Sequence, residues 1–210
     1  MKYTYLIALA TASTVLLSCS DTKENVAPTE TTSTNLEKFY TGEAPEGARQ
    51  ISEIFADPTP GREIVVSGEI MGRSEPFIDG RAMVVLGDPT KITPCNRIPG
   101  DLCPTPWDNC CDDPDVLKKS VATIQFLDEE GKVLKTGLKG FKGIKELSYL
   151  TIKGEIAEGS NPNNLLISAD SFHITDPSPY LNAKAVSGGL DGEVTVEGDV
   201  FIYTKKKADE

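Results

Sequence analysis

Four cysteines cluster in one short stretch of the chain, and their type and spacing give them more chemical potential than any other residues. Cys95, Cys103, Cys110 and Cys111 lie within seventeen residues and enclose Trp107, the only tryptophan. In an exported chain, an even number of cysteines is typical of a disulfide framework. A bond between the adjacent Cys110 and Cys111 would be strained, so bonds from these two outward to Cys95 and Cys103 are favoured. Such bonds would brace a loop that is long for a compact domain.

The same four cysteines also have the composition of a metal site. Four thiolates can close a tetrahedron around zinc or bind Cu(I) as soft ligands. The spacings of seven, six and zero intervening residues differ from those of paired C-x2-C zinc knuckles. Acidic side chains in the stretch favour a cation and are equally typical of a solvated loop: Asp101, Asp108, Asp112, Asp113 and Asp115. Thiol-redox chemistry is a further alternative, although the stretch has no C-x-x-C pair. Disulfide, metal and redox interpretations all stay open at this point.

The fifth cysteine, Cys19, follows an N-terminal pattern that is typical of export. Lys2 precedes an apolar run at residues 5–17, which is too short to span a bilayer and indicates a signal peptide. The segment Leu-Leu-Ser-Cys at residues 16–19 resembles the lipobox of bacterial lipoproteins. The resemblance implies a signal peptide at residues 1–18, lipid on the Cys19 thiol and an anchor in the cell envelope. Ser20 after the cysteine favours the outer membrane, on its periplasmic face.

The composition excludes several classes of function. The 210 residues include 32 acidic and 21 basic side chains, which give a formal net charge of −11. A general nucleic-acid binder needs a surplus of lysine and arginine, so nucleic acid is not the expected partner. His173 is the only histidine, which rules out a multi-histidine metal centre. Because no Walker, Rossmann or H-E-x-x-H motif occurs, we expect a non-catalytic protein with no cofactor beyond zinc or copper at the cysteines.

Apolar content divides the mature chain into three parts. Residues 19–47 are poor in large apolar groups and are expected to form a flexible tether. Residues 48–176 carry the β-rich segments of a folded domain, with the cysteines in an insertion at residues 87–120. Residues 177–210 are expected to form a C-terminal tail or a hairpin.

The pattern of β-rich segments predicts a mainly β domain with five strands. They are expected at residues 63–71, 82–86, 121–127, 149–157 and 165–174. Short helices are expected before the first strand, at residues 51–55, and between the third and fourth strands, at residues 139–147. This order is that of a five-stranded OB-fold barrel, in which the mid-strand Gly68 and Gly154 would let strands bend. An open sandwich is the alternative arrangement of the same strands.

Three segments are similar to uncharacterised OB-fold lipoproteins of bacterial envelopes. They are Ile-Phe-Ala-Asp-Pro at residues 54–58, Glu-Pro-Phe-Ile-Asp-Gly-Arg at residues 75–81 and Cys-Pro-Thr-Pro-Trp-Asp-Asn-Cys-Cys at residues 103–111. The resemblance implies a fold and a compartment and no established activity.

One basic segment departs from the overall acidity. It contains Lys132, Lys135, Lys139, Lys142 and Lys145. OB barrels often bind oligosaccharides or oligonucleotides beside such a segment, so Lys139, Phe141 and Lys142 are candidate binding residues together with Trp107. Lysines that simply balance a solvated acidic surface are the alternative. We therefore expect a lipid-anchored envelope protein that acts as a binding or assembly module for a protein or glycan, with a metal-binding or thiol-redox protein as the alternative.

Overall fold

The computed structural model describes residues 35–181 and two further strands, at residues 192–197 and 200–205. The strands are β1 Arg49–Gln50, β2 Glu63–Glu69, β3 Met83–Gly87, β4 Val121–Gln125, β5 Tyr149–Ile156, β6 Leu166–Thr175, β7 Gly192–Glu197 and β8 Val200–Lys205. The helices are α1 Ile51–Phe55 and α2 Pro114–Lys118, with 3-10 turns at Cys95–Arg97 and Phe141–Gly143. Residues 35–37 are also helical. The predicted mainly β domain is confirmed.

Five of these strands close into a barrel. Their order is β2-β3-β4-β6-β5, and β5 pairs again with β2. β4 and β6 run parallel, whereas the other barrel pairs are antiparallel. The closing pair is long, extending from Glu63 opposite Glu155 to Glu69 opposite Tyr149. The predicted OB-like barrel is therefore confirmed, and closure rules out the open sandwich.

Aromatic side chains form the centre of the core. The rings of Phe126 and Phe141 meet Phe172 edge to face, with centroid distances of 5.3 and 6.1 Å. Phe39 packs on Phe126 in the same manner at 5.2 Å. Each such pair contributes about 0.5–1.5 kcal/mol beyond the burial of its area. The barrel is thus stabilised by apolar packing inside a closed ladder of backbone hydrogen bonds.

Two mid-strand glycines allow close approach inside the barrel. The β5–β6 register shifts between Lys153 and Gly154, and a Cβ atom on Gly154 would lie 2.1 Å from the carbonyl oxygen of Ser168. A Cβ atom on Gly68 would lie 2.8 Å from the carbonyl oxygen of Gly87. Side chains do not fit at such distances, so glycine is required at the positions where bending was predicted.

The predicted tether is wrong at its C-terminal end. Leu36 and Phe39 are buried members of the core, and the Thr41 amide donates a 2.8 Å hydrogen bond to the carbonyl of Phe172. The low content of large apolar residues did not indicate this order, because the few that are present are separated by polar residues. Their contacts with the core form only when the barrel folds. The signal peptide, Cys19 and the tether up to residue 34 lie outside the described residues.

The helix predicted at residues 139–147 is reduced to the 3-10 turn Phe141–Gly143. The backbone reaches a φ of 45° at Lys142, and glycines on both sides of this turn disfavour a longer helix. Within the part of the chain that the structure describes, no helix has the length and apolar character that crossing a bilayer requires.

The C-terminal strands form the predicted hairpin. β7 and β8 are antiparallel, from Gly192 opposite Lys205 to Glu197 opposite Val200.

Candidate metal centre

The insertion between β3 and β4 begins and ends at one anchored point. The Asp88 amide donates a 2.8 Å hydrogen bond to the carbonyl of Ser120, so the two ends of the insertion lie side by side. The buried Asp88 carboxylate accepts hydrogen bonds from the Ser52 amide, at 3.0 Å, and from the Thr90 amide and hydroxyl. One acidic side chain therefore joins the base of the insertion to α1.

A buried ion pair fixes the insertion to the end of β2. Both terminal nitrogens of Arg97 donate to the two carboxylate oxygens of Glu69, each at 2.7 Å. The side chains are 4% and 0% exposed, and the Ser178 hydroxyl also donates to Glu69. Bidentate geometry fixes direction as well as distance. Because Arg97 ends the turn that begins at Cys95, the pair holds that turn against the barrel.

Trp107 forms a third attachment. Its indole Nε1 donates a 2.8 Å hydrogen bond to the carbonyl of Ser74, in the connection between β2 and β3. The ring is half-buried. Trp107 was predicted to carry a partner contact, which stays a prediction; the structure shows that it connects two loops of the same chain.

Backbone pairing brings the first cysteine back to the later ones. The Cys95 amide donates to the carbonyl of Asp108 and the Asn96 amide to that of Pro106, both at 2.8 Å. Asp112 continues this closure, since its carboxylate accepts from the Thr93 amide at 2.8 Å. Residues at the two ends of a seventeen-residue stretch are thereby held together.

The sulfur atoms consequently form a compact group. Cys95 Sγ lies 3.6 Å from Cys110 Sγ. The sulfurs of Cys95, Cys110 and Cys111 all lie within 4.8 Å of one another, and so do the ligand atoms of Cys95, Asp101 and Cys103. Cys95 belongs to both groups, so the structure brings all four predicted cysteines, together with Asp101, to one place.

The thiols differ in exposure and in acidity. Cys95 is 1% exposed, and burial raises its pKa, helped by the neighbouring Cys110 thiol. The residue Cys111 is exposed, but its thiol is partly desolvated, and this is the main cause that raises its pKa to about 11. The second cause is the hydrogen bond that the thiol donates to Asp101 at 3.5 Å. Hydrogen bonds from Thr105 lower the pKa of Cys103, whose sulfur is 3.4 Å from the Thr105 hydroxyl. Asp101 also accepts from the Cys103 amide at 2.7 Å, which holds its carboxylate beside the thiols.

The spacing of the sulfurs distinguishes two of the interpretations. A disulfide requires about 2.05 Å between sulfurs. Four thiolates bonded to zinc at about 2.3 Å in a tetrahedron lie about 3.8 Å apart. The 3.6 Å between Cys95 and Cys110 is near the second value, and no bond joins any two of the four cysteines. The predicted disulfides are not formed in the structure. The sulfurs of Cys95, Cys110 and Cys111 are close enough to share one zinc ion, and Cys103 and Asp101 lie beside Cys95 in the second group.

The two lysines predicted to bind a ligand, Lys139 and Lys142, both form ion pairs within the chain. Lys139 pairs with Glu146, and Lys142 pairs with Glu37 at 2.9 Å while its ammonium lies over the Tyr40 ring. Phe141, predicted as a binding residue, is buried in the core, so its ring is not offered to a ligand. The 3-10 turn directs Phe141 inward, and the rings closest to these two lysines are those of Phe77 and Tyr40.

The edge of β3 that faces away from β4 is paired with the chain itself. The Val85 amide donates a 2.7 Å hydrogen bond to the carbonyl of Pro76, and Phe77 forms a bridge with Val84. Trp107 contacts the same connection through Ser74. The β2–β3 connection therefore extends the sheet beside β3 and is joined to the cysteine insertion.

No sequence pattern indicates the Glu69–Arg97 pair. The partners are 28 residues apart, and Glu69 lies at the end of a strand where an exposed carboxylate is usual. Only the position of the insertion over the barrel end explains why both are buried.

Fold and site together define an OB-like barrel that carries a thiol-rich candidate metal centre. The chain matches no protein-family model, no curated protein and no solved structure.

Proposed function

We propose that the protein is a lipid-anchored, non-catalytic binding module of the bacterial cell envelope, and that its cysteine insertion binds zinc. The zinc site is supported by the close grouping of three cysteine sulfurs, those of Cys95, Cys110 and Cys111. They lie within 4.8 Å of one another, as the ligands of one metal ion do, and no disulfide joins them. Cys103 and Asp101, which lie beside Cys95 in the overlapping group, are the candidates for the fourth ligand. Zinc would join the two ends of the insertion and give its surface a fixed shape.

The surface of the braced insertion is the part proposed to meet a partner. Leu102 is 94% exposed and follows Asp101 directly. An exposed leucine on an anchored loop offers an apolar contact at little cost in ordering entropy. A protein or a glycan in the envelope is the proposed partner.

The metal content of the protein tests the zinc site. The mature chain is purified without chelator and measured by elemental analysis and by native mass spectrometry. We expect one zinc per chain and four thiols that become alkylated after denaturation. Cys95→Ser should lose the zinc, whereas Asp115→Asn, an exposed change in the same insertion, should keep it.

Other results would assign the cysteines differently. Copper at the same stoichiometry would identify Cu(I), and not zinc, as the bound metal ion. Two stable disulfides and no metal would contradict the metal site and support the braced-loop interpretation. Disulfides that form and reduce reversibly, again without metal, would support a thiol-redox function.

The lipid anchor has its own test. Palmitate labelling of the expressed precursor should be lost in Cys19→Ala and kept in Ser20→Ala. An unlabelled wild-type protein would contradict the anchor and leave the zinc site untouched.

A further inference from the structure

The cysteine group is closed on one side and open on the other. Cys95 is buried against the barrel end, where the Arg97–Glu69 pair holds its turn. Cys110 and Cys111 are exposed, on the opposite half of the same group. A purely structural zinc site is closed by four protein ligands, whereas a reactive zinc site keeps a coordination position open to an incoming group. Here half of the thiols can be reached by an incoming donor.

Such a site exchanges metal by ligand replacement. An acceptor thiolate can bind zinc while one protein thiolate leaves, and zinc tolerates the temporary extra ligand. Each acceptor thiol that becomes a ligand gives up its proton, and each protein thiolate that leaves takes one up. The zinc ion keeps its charge throughout, so the step needs neither oxidant nor reductant.

Resting on the zinc site proposed above, we propose that this is a metal-transfer site. Zinc passes through Cys110 and Cys111 to the thiols of an acceptor protein that docks beside Leu102. The buried Cys95 is the last ligand to leave. The protein is then a membrane-tethered carrier of zinc, and the ion is its cargo.

Charge identifies the kind of acceptor. Residues 101–115 of the insertion carry five aspartates and no basic side chain, and the whole chain has a net charge of −11. Arg97, two residues after Cys95 in the sequence, is already paired with Glu69. A thiol-bearing acceptor with a basic surface is therefore attracted to the open side, and an acidic one is repelled. Association of this kind weakens as salt increases.

Two synthetic peptides provide a direct test with the zinc-loaded mature protein. Each peptide contains one C-x-x-C pair, which is flanked by lysines in one peptide and by glutamates in the other. Native mass spectrometry follows the zinc bound to the protein and the zinc bound to the peptide over time. We expect the transfer rate to increase in proportion to peptide concentration. At low salt the lysine peptide should be faster by about tenfold, and the difference should shrink at high salt.

Leucine variants separate docking from binding. Leu102→Ser should slow transfer without changing the zinc content. Leu181→Ser, which changes an exposed leucine outside the insertion, should leave the rate unchanged. Bound zinc that leaves at a rate independent of peptide concentration would overturn the transfer proposal and keep a structural zinc site. A protein that binds no zinc would overturn both proposals.

Discussion

The barrel and its insertion are stabilised in different ways. The barrel has a closed ladder of strand pairs and an apolar core in which Phe172 touches several other rings. The insertion depends on a few polar attachments: the Asp88–Ser120 hydrogen bond, the Glu69–Arg97 pair and the Trp107–Ser74 hydrogen bond. The difference indicates that the barrel is stabilised by its own core, whereas the shape of the insertion depends on these few attachments and on the zinc that we propose for its cysteines.

The largest effect is expected in the barrel core. Phe172→Ala removes a fully buried ring together with its edge-to-face contacts with three other rings. The free energy of unfolding should fall by about 3–5 kcal/mol. Guanidinium unfolding followed by circular dichroism measures the change. A loss below about 1 kcal/mol would show that the core does not carry the stability of the barrel.

The buried ion pair should rank next. Arg97→Met leaves the Glu69 carboxylate buried without its partner, which costs about 3 kcal/mol. Adding Glu69→Leu to the same protein removes the unpaired charge and should recover most of that loss. The same unfolding experiment applies to both variants. A double variant as unstable as Arg97→Met would contradict the role given to the charge.

The hydrogen bond of Trp107 should contribute less. Trp107→Phe keeps an aromatic ring and removes the Nε1 donor to Ser74. We expect a loss of about 1 kcal/mol, the usual net value of one hydrogen bond. Urea unfolding of this variant and of the wild type, both in zinc, gives the difference. An unchanged midpoint would show that the attachment does not stabilise the insertion.

The smallest effect is a difference in reactivity among the thiols of metal-free, reduced protein. A lowered pKa increases the thiolate fraction of a cysteine at pH 7.5, and a raised pKa decreases it. Of these three cysteines, iodoacetamide should therefore modify Cys103 first, Cys111 second and Cys95 last. Peptide mass spectrometry over time gives the order. Thr105→Val removes the main cause of the lowered pKa and should slow Cys103. Modification of Cys95 first would contradict its burial.

The barrel could be predicted from sequence because its signals are local. Short β-rich segments define the strands, and five of them with a helical segment between the third and the fourth have the order of an OB barrel. The positions of the mid-strand glycines, Gly68 and Gly154, also indicated where the strands bend. At each of them a carbonyl oxygen of a neighbouring strand lies too close for a side chain.

The parts that sequence could not predict depend on distant partners. Leu36 and Phe39 are apolar residues in a polar segment, and both are buried in the core. Phe39 packs on Phe126, and its carbonyl accepts a hydrogen bond from the Phe172 amide. Composition identified the four cysteines as one cluster, but it could not separate disulfide from metal. The distance between Cys95 and Cys110 depends on backbone hydrogen bonds that have no sequence signature.

Hydrogen exchange of the mature protein with and without zinc reports on the insertion and the barrel in one experiment. We expect zinc to protect the amides that close the cysteine stretch, those of Thr93, Cys95 and Asn96, while amides of the β2–β5 ladder exchange at the same rate in both samples. Equal exchange of the Cys95 and Asn96 amides in both samples would contradict an insertion stabilised by zinc.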